Sequence, residues 1–108
     1  MTLYEERPMD WLWTWGGECF GYRRDDRLFT HNGLQAGKFY GDEVYGSDGR
    51  YLGEVKNGNR LIAHSAKKGW MKSSFGPVQG GSYARYANYA GHAMYAGYED
   101  FPSPDDFK

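Results

Sequence analysis

The chain has 108 residues, which allows one domain and leaves no room for a second. Its 16 Gly and 10 Tyr favour many turns between short, side-chain-heavy strands over a helix bundle, and 40% hydrophobic residues exclude disorder. Thirteen basic against 14 acidic residues give a formal charge of −1, which excludes a global pull toward nucleic acid or anionic lipid.

The chain opens with Met1-Thr2-Leu3-Tyr4-Glu5-Glu6-Arg7, charged where a secretory leader needs an apolar core. No apolar run approaches the roughly 18 residues of a membrane span, so no membrane association is expected. Residues 1–16 read as an N-terminal strand segment. Trp11, Trp13 and Trp15 alternate with Leu12 and Thr14, which puts three indoles on one strand face. Cys19 stands alone, so no intrachain disulfide forms, and the expected location is cytoplasmic.

Residues 17–72 carry an internal repeat. Gly17, Gly33 and Gly49 recur every sixteen residues and continue to Ser65, while Gly21, Gly37, Gly53 and Gly69 form a second series. Turn formers fall every eight residues, at Gly17, Asp25, Gly33, Gly41, Gly49, Asn57 and Ser65. Asn32-Gly33 and Asp48-Gly49 are pairs suited to tight hairpin turns, and Asp25-Asp26, Gly41-Asp42 and Asn57-Gly58-Asn59 mark the alternate ones. The expected fold is mostly β, with four 16-residue hairpin repeats in a pseudo-four-fold arrangement and a fourth copy that has lost its first Gly. Leu28 and Thr30 should share one face, with Arg27, Phe29 and His31 on the other; Leu52 should oppose Tyr51 and Val55. The second Gly series lies in mid-strand, where a missing side chain marks a bulge or a close backbone approach.

Residues 73–82 form a Gly/Ser/Pro-bearing connector. From Tyr83 to Tyr98 the chain runs in triplets led by Tyr83, Tyr86, Tyr89, His92, Tyr95 and Tyr98. That period suits a polyproline-type or 3₁₀ geometry, but neither is usually sustained so long, and five Ala favour helix. The expectation is a short C-terminal helical extension over 83–98, stopped by Phe101-Pro102-Ser103-Pro104, followed by an acidic tail over 99–108.

No catalytic constellation emerges. Cys19 with His31 or His64 is the one thiol–imidazole combination available, and the sequence supplies no orienting third group. The histidines lack metal-ligand spacing, and the turn carboxylates Asp25, Asp26, Asp42, Glu43 and Asp48 lack a calcium-loop pattern, so neither metal nor cofactor is expected. Gly76-Pro-Val-Gln-Gly80-Gly81 lacks the Lys-Ser/Thr of a phosphate loop. Lys56, Arg60, Lys67, Lys68, Lys72 and Arg85 span a stretch with no acidic residue. The plain account of that stretch is a solvated basic surface paired with the acidic tail. Flat rings beside uncompensated cations suggest a ligand site, made of Trp11, Trp13 and Trp15 on one surface and Lys67, Lys68 and Trp70 on another.

The run Leu28-Phe-Thr-His-Asn-Gly33, Gly37-Lys-Phe-Tyr-Gly-Asp-Glu-Val-Tyr45, Asp48-Gly-Arg-Tyr-Leu-Gly-Glu-Val55 and Asn57-Gly-Asn-Arg-Leu-Ile62 resembles the bacterial four-fold β-flower domain. The segment from Tyr83 to Phe101 is similar to that family's C-terminal part. The resemblance implies a small β-repeat fold and brings no activity, substrate or catalytic residues. The function expected is a non-enzymatic binding or protein-interaction module, taking a protein or a small anionic or ring-stacking ligand, with nucleic acid less favoured. A small enzyme using Cys19 and a histidine at a repeat junction, and a self-assembling homo-oligomer subunit, are the two alternatives.

Overall fold

The computed structural model describes residues 9–107, so the charged start Met1–Arg7 and the first half of the N-terminal segment lie outside the described residues. Eight strands follow in chain order: β1 (Asp10–Thr14), β2 (Cys19–Arg24), β3 (Arg27–Thr30), β4 (Gln35–Tyr40), β5 (Glu43–Tyr45), β6 (Tyr51–Lys56), β7 (Arg60–His64) and β8 (Tyr98–Asp100). Each pairs antiparallel with the next, and β1 also pairs parallel with β7 through Trp13↔Arg60 and Thr14↔Leu61. That last pairing closes β1–β7 into a seven-stranded barrel. Strand β8 takes over the same edge of β7 from Ile62 to His64, where β1 has left it.

The sixteen-residue rhythm has three material expressions. Three loops at one end of the barrel share one bonding pattern: Thr14, Thr30 and Gly46 each receive a bond on their carbonyl from Gly17, Gly33 and Gly49, and each amide donates to the carbonyl of Glu18, Leu34 or Arg50. Tight turns at Asp25-Asp26, Gly41-Asp42 and residues 57–59 close the opposite end, with Asp25 and Asn57 at φ of 56° and 55°. Asn32-Gly33 and Asp48-Gly49, expected in two-residue hairpin turns, lie in the wider loops instead.

The third expression is a bulge. Register slips recur after Leu12, Leu28 and Val44, where Gly21, Gly37 and Gly53 face those residues. Each slip passes over Phe20, Ala36 or Leu52, which points inward. A Cβ on Gly37 would lie 2.5 Å from Val44 Cγ1, so the strands approach too closely there for a side chain. The slip also corrects one expected face: Val55 packs inward with Leu52, because alternation resets at Gly53. The core therefore fills at eight-residue intervals, from Leu12, Phe20, Leu28, Ala36 and Val44 to Leu52, joined by Phe39, Leu61 and Phe101.

Two expectations need correction. The fourth copy, Ser65–Met71, forms no hairpin; Ser65–Lys67 is a 3₁₀ turn and the chain then leaves the sheet. Three loops, three bulges and a closed barrel stand where four petals about an axis were expected. The second correction is the helix. Residues 83–95 contain none, and the described residues include only two 3₁₀ turns. Instead, residues 72–95 form an extended strap laid across the loop end and then along β1. Its amides come in pairs three residues apart and reach carbonyls spaced by sixteen: Lys72 and Phe75 donate to Gly49 and Ser47, Gly80 and Tyr83 to Gly33 and His31, Tyr89 and His92 to Gly17 and Trp15. The barrel loops provide the partners that a helix would find within itself.

Candidate functional site

Strand β1 sets the geometry of the most prominent surface. Its alternation turns Trp11, Trp13 and Trp15 outward, as expected, and the strap lies directly on them. Tyr89 stacks on Trp13 at 3.9 Å between ring centroids and 11° between planes. Tyr86 meets Trp11 edge-on at 4.9 Å, and His92 and Tyr95 flank Trp15 at 4.8 and 5.3 Å. The indole N–H groups anchor the strap backbone: Trp13 Nε1 donates to the Ala87 carbonyl and Trp15 Nε1 to Ala93, both at 3.0 Å. Between them Arg60, only 5% exposed, donates to the Ala90 carbonyl at 2.7 Å and to Trp15 O at 3.1 Å.

Carbonyls 87, 90 and 93 thus all face the barrel. A chain turning every third carbonyl one way, without helical bonds of its own, has the three-residue turn of polyproline-type backbone. The tyrosine triplet then forms a row along the strap's flank. Trp13 and Trp15 are sealed beneath it, whereas Tyr83, Tyr86, Tyr89 and Tyr95 stay 39–56% exposed, with Met94 beside them at 44%. Sequence reasoning placed the binding surface on the tryptophans; they are the buttress, and the rings facing solvent are the strap's own. Arg60 was counted among surface cations and is a buried clamp. The triplet spacing was the available signal for the tyrosine row; nothing local marked Arg60 as its clamp.

The second expected surface, Lys67, Lys68 and Trp70, does come together, but not as free positive charge. Cross-strand partners Glu43 and Glu54 each accept a 2.8 Å hydrogen bond from Lys67 Nζ. Tyr45 and Tyr51 donate to the same two carboxylates at 2.9 and 2.8 Å. The Lys67 hydrogen bond holds the Glu43 carboxyl below its ordinary range. Burial works to raise Glu54, but the bonds from Lys67 and Tyr51 outweigh it and leave that carboxyl low as well. Both carboxylates in turn push the Lys67 ammonium up, and burial with the Glu43 bond pushes Tyr45 up to about 12. Lys68 pairs with Glu99 at 2.9 Å. Trp70, 48% exposed, lies under Lys67 at 5.4 Å. Of this stretch, Lys67 is neutralised by the strand glutamates and Lys68 by Glu99 of the acidic tail.

The remaining chemistry is quiet. Cys19 is fully buried beneath the strap, its amide bonded to Asn88 Oδ1 at 3.0 Å, and burial raises its thiol pKa despite a bond from the Tyr86 amide and the nearby Arg85. That shift opposes thiolate formation. Among the described residues no three His, Cys, Asp or Glu gather as a metal would require, and no helix is long and apolar enough to cross a membrane. A groove of about 550 Å³ opens at the loop end between Leu34, Leu52, Val78 and Phe107. Its central amide, Gln35, is already committed to Val78 N and Gly37 O. No protein-family model matches the chain, and no curated protein or solved structure is significantly similar to it.

Proposed function

We propose that this protein is a non-enzymatic interaction module whose working surface is the tyrosine row of the strap. The observation that carries the reading is the half-exposed state of Tyr83, Tyr86, Tyr89 and Tyr95 on a backbone pinned at every third carbonyl. Rings held in place and left wet on one side lose little entropy on binding, which is why tyrosine and tryptophan dominate binding hot spots. Trp11, Trp13 and Trp15 support the row, and Lys67, Lys68 and Trp70 form a secondary, charge-balanced patch. The enzyme alternative is disfavoured by the buried, raised Cys19 thiol, and self-assembly through strand edges is disfavoured by closure of β1–β7. The sixteen-residue recurrence supports a kinship with the bacterial four-fold β-flower domains, and the buried free cysteine supports a cytoplasmic location.

The test is affinity capture from the native host's lysate with wild type, a Tyr86→Ala/Tyr95→Ala variant and a Trp70→Ala variant of equal thermal stability. Proteins held by wild type and Trp70→Ala but lost by the double variant are expected. A capture profile indifferent to the tyrosines rejects the reading.

A further inference from the structure

We infer that the tyrosine row receives an acidic, proline-rich segment of a partner protein, an inference that rests on the interaction-module reading. The pitch is the first reason. Rings repeating every third residue on a polyproline-type backbone stand about 9 Å apart. A proline-rich partner winds with the same three-residue turn, so its pyrrolidine rings meet the exposed outer edges of successive tyrosines in register, the gaps on the barrel side being filled by Trp11 and Trp13. Such a segment is already extended in solution and loses little freedom on docking, and aromatic-lined surfaces are its usual receptors.

The molecule already displays this mode of recognition within itself. The barrel wall binds its own three-residue-turn chain by ring stacking, at Trp13–Tyr89, and by side-chain donors aimed at strap carbonyls: Trp13 Nε1 to Ala87, Trp15 Nε1 to Ala93 and Tyr22 OH to Gly81 at 2.7 Å. The exposed tyrosines carry hydroxyls that are the same kind of donor for a second chain.

Charge decides the partner's sign. Lys56 Nζ stands 5.9 and 5.7 Å over the Tyr95 and Tyr98 rings, with no carboxylate partner among the described residues. Arg85 lies near the other end of the row, 3.6 Å from Glu18 and 45% exposed in its side chain. With Arg85 held by Glu18, the cation that complements a segment bearing acidic residues between its prolines is Lys56, at the Tyr95 end of the row.

The experiment titrates the full ¹⁵N-labelled chain with a Pro-Pro-Glu repeat peptide, a Gly-Ser-Glu repeat of equal length and charge, and a Pro-Pro-Lys repeat. The expected result is amide shifts confined to Tyr83–Tyr95 and Lys56 with the first peptide. The other two should bind about tenfold more weakly or worse. Tyr86→Ala and Lys56→Glu should each weaken the first peptide by a similar factor, with Tyr95→Ala as the substitute if Tyr86→Ala disturbs the spectrum elsewhere. Equal binding of the Gly-Ser-Glu peptide would mean charge alone acts and overturns the inference. Shifts elsewhere, or no binding by any peptide, overturn it too. If host proteins are still captured through the row, only the partner class falls and the interaction reading stands; if they are not, both fall.

Discussion

Glycines 17, 33 and 49 serve two purposes at one atom. Each holds a φ of 86–102°, and a Cβ on any of them would collide with a strap carbonyl, of Tyr89, Gly80 and Lys72 respectively. Gly41 shares the positive φ but faces open space. Gly41→Ala should therefore cost only about 1 kcal/mol of backbone strain, whereas Gly33→Ala should cost about 2–4 kcal/mol in urea denaturation, because it also displaces the strap. Equal losses would show that the close approach at Gly33 is unimportant. The Lys67 cluster gives the pH behaviour. Glu43 and Glu54 have carboxyls held lower in the folded chain than in the unfolded one, so their contribution is present above the unfolded value of 4.5 and disappears as pH falls through the depressed folded values. Tyr45 works at the other end of the scale: folded near 12 against 10 unfolded, it removes stability as pH rises from 10 to 12. Lys67→Met should raise the acid midpoint of unfolding and lose about 1 kcal/mol at neutral pH, since two carboxylates then face each other across the strands. An unmoved acid midpoint would remove Lys67 from the account.

The strap is where an element's sequence and its structure part company. Five alanines suit helix on intrinsic propensity, against a three-residue period that does not, and that preference assumes a chain that must satisfy its own carbonyls. Here the Trp13 and Trp15 indoles and the Arg60 guanidinium satisfy Ala87, Ala93 and Ala90, and those donors lie 74, 78 and 30 residues away. No local rule contains them. Gly91 passes close to the loop after β1, where a Cβ would lie 2.9 Å from Gly16 O. Ala84→Pro separates the two conformations. In the strap it should change stability by less than about 0.5 kcal/mol, while in a helix it would cost about 3 kcal/mol. Thermal melts followed by circular dichroism would decide it. The strands, by contrast, were legible: Trp11, Trp13 and Trp15 share a face, and Gly21, Gly37 and Gly53 mark close approaches. The inward turn of Val55 was not, because strict alternation cannot anticipate a bulge whose position depends on the neighbouring strand.

For the whole molecule, closure is the decisive event. The amide of Trp13 donates to Asn59 O at 2.9 Å and that of Trp15 to Leu61 O at 2.8 Å, joining the first and seventh strands, and Trp15 N also reaches Asp100 Oδ1 at 3.0 Å. Beyond the strap, Phe101 returns to the barrel interior, 3% exposed, with its ring edge-on to Phe20 at 5.3 Å and against Gly53. Phe101→Ala should therefore cost about 3–5 kcal/mol and loosen β8 and the strap together, seen as faster amide exchange at Tyr89 and His92. Exchange left unchanged at those amides would mean the strap is held by the tryptophans alone. The sequence by itself determined the period, the turn sites and the indole face, since these depend on residues close in the chain. Only the tertiary structure decided that the fourth copy fails, that the strands close as a seven-stranded barrel, and that the Tyr/Ala segment is a strap. Each of those outcomes turns on a hydrogen-bond partner supplied from a distant part of the chain.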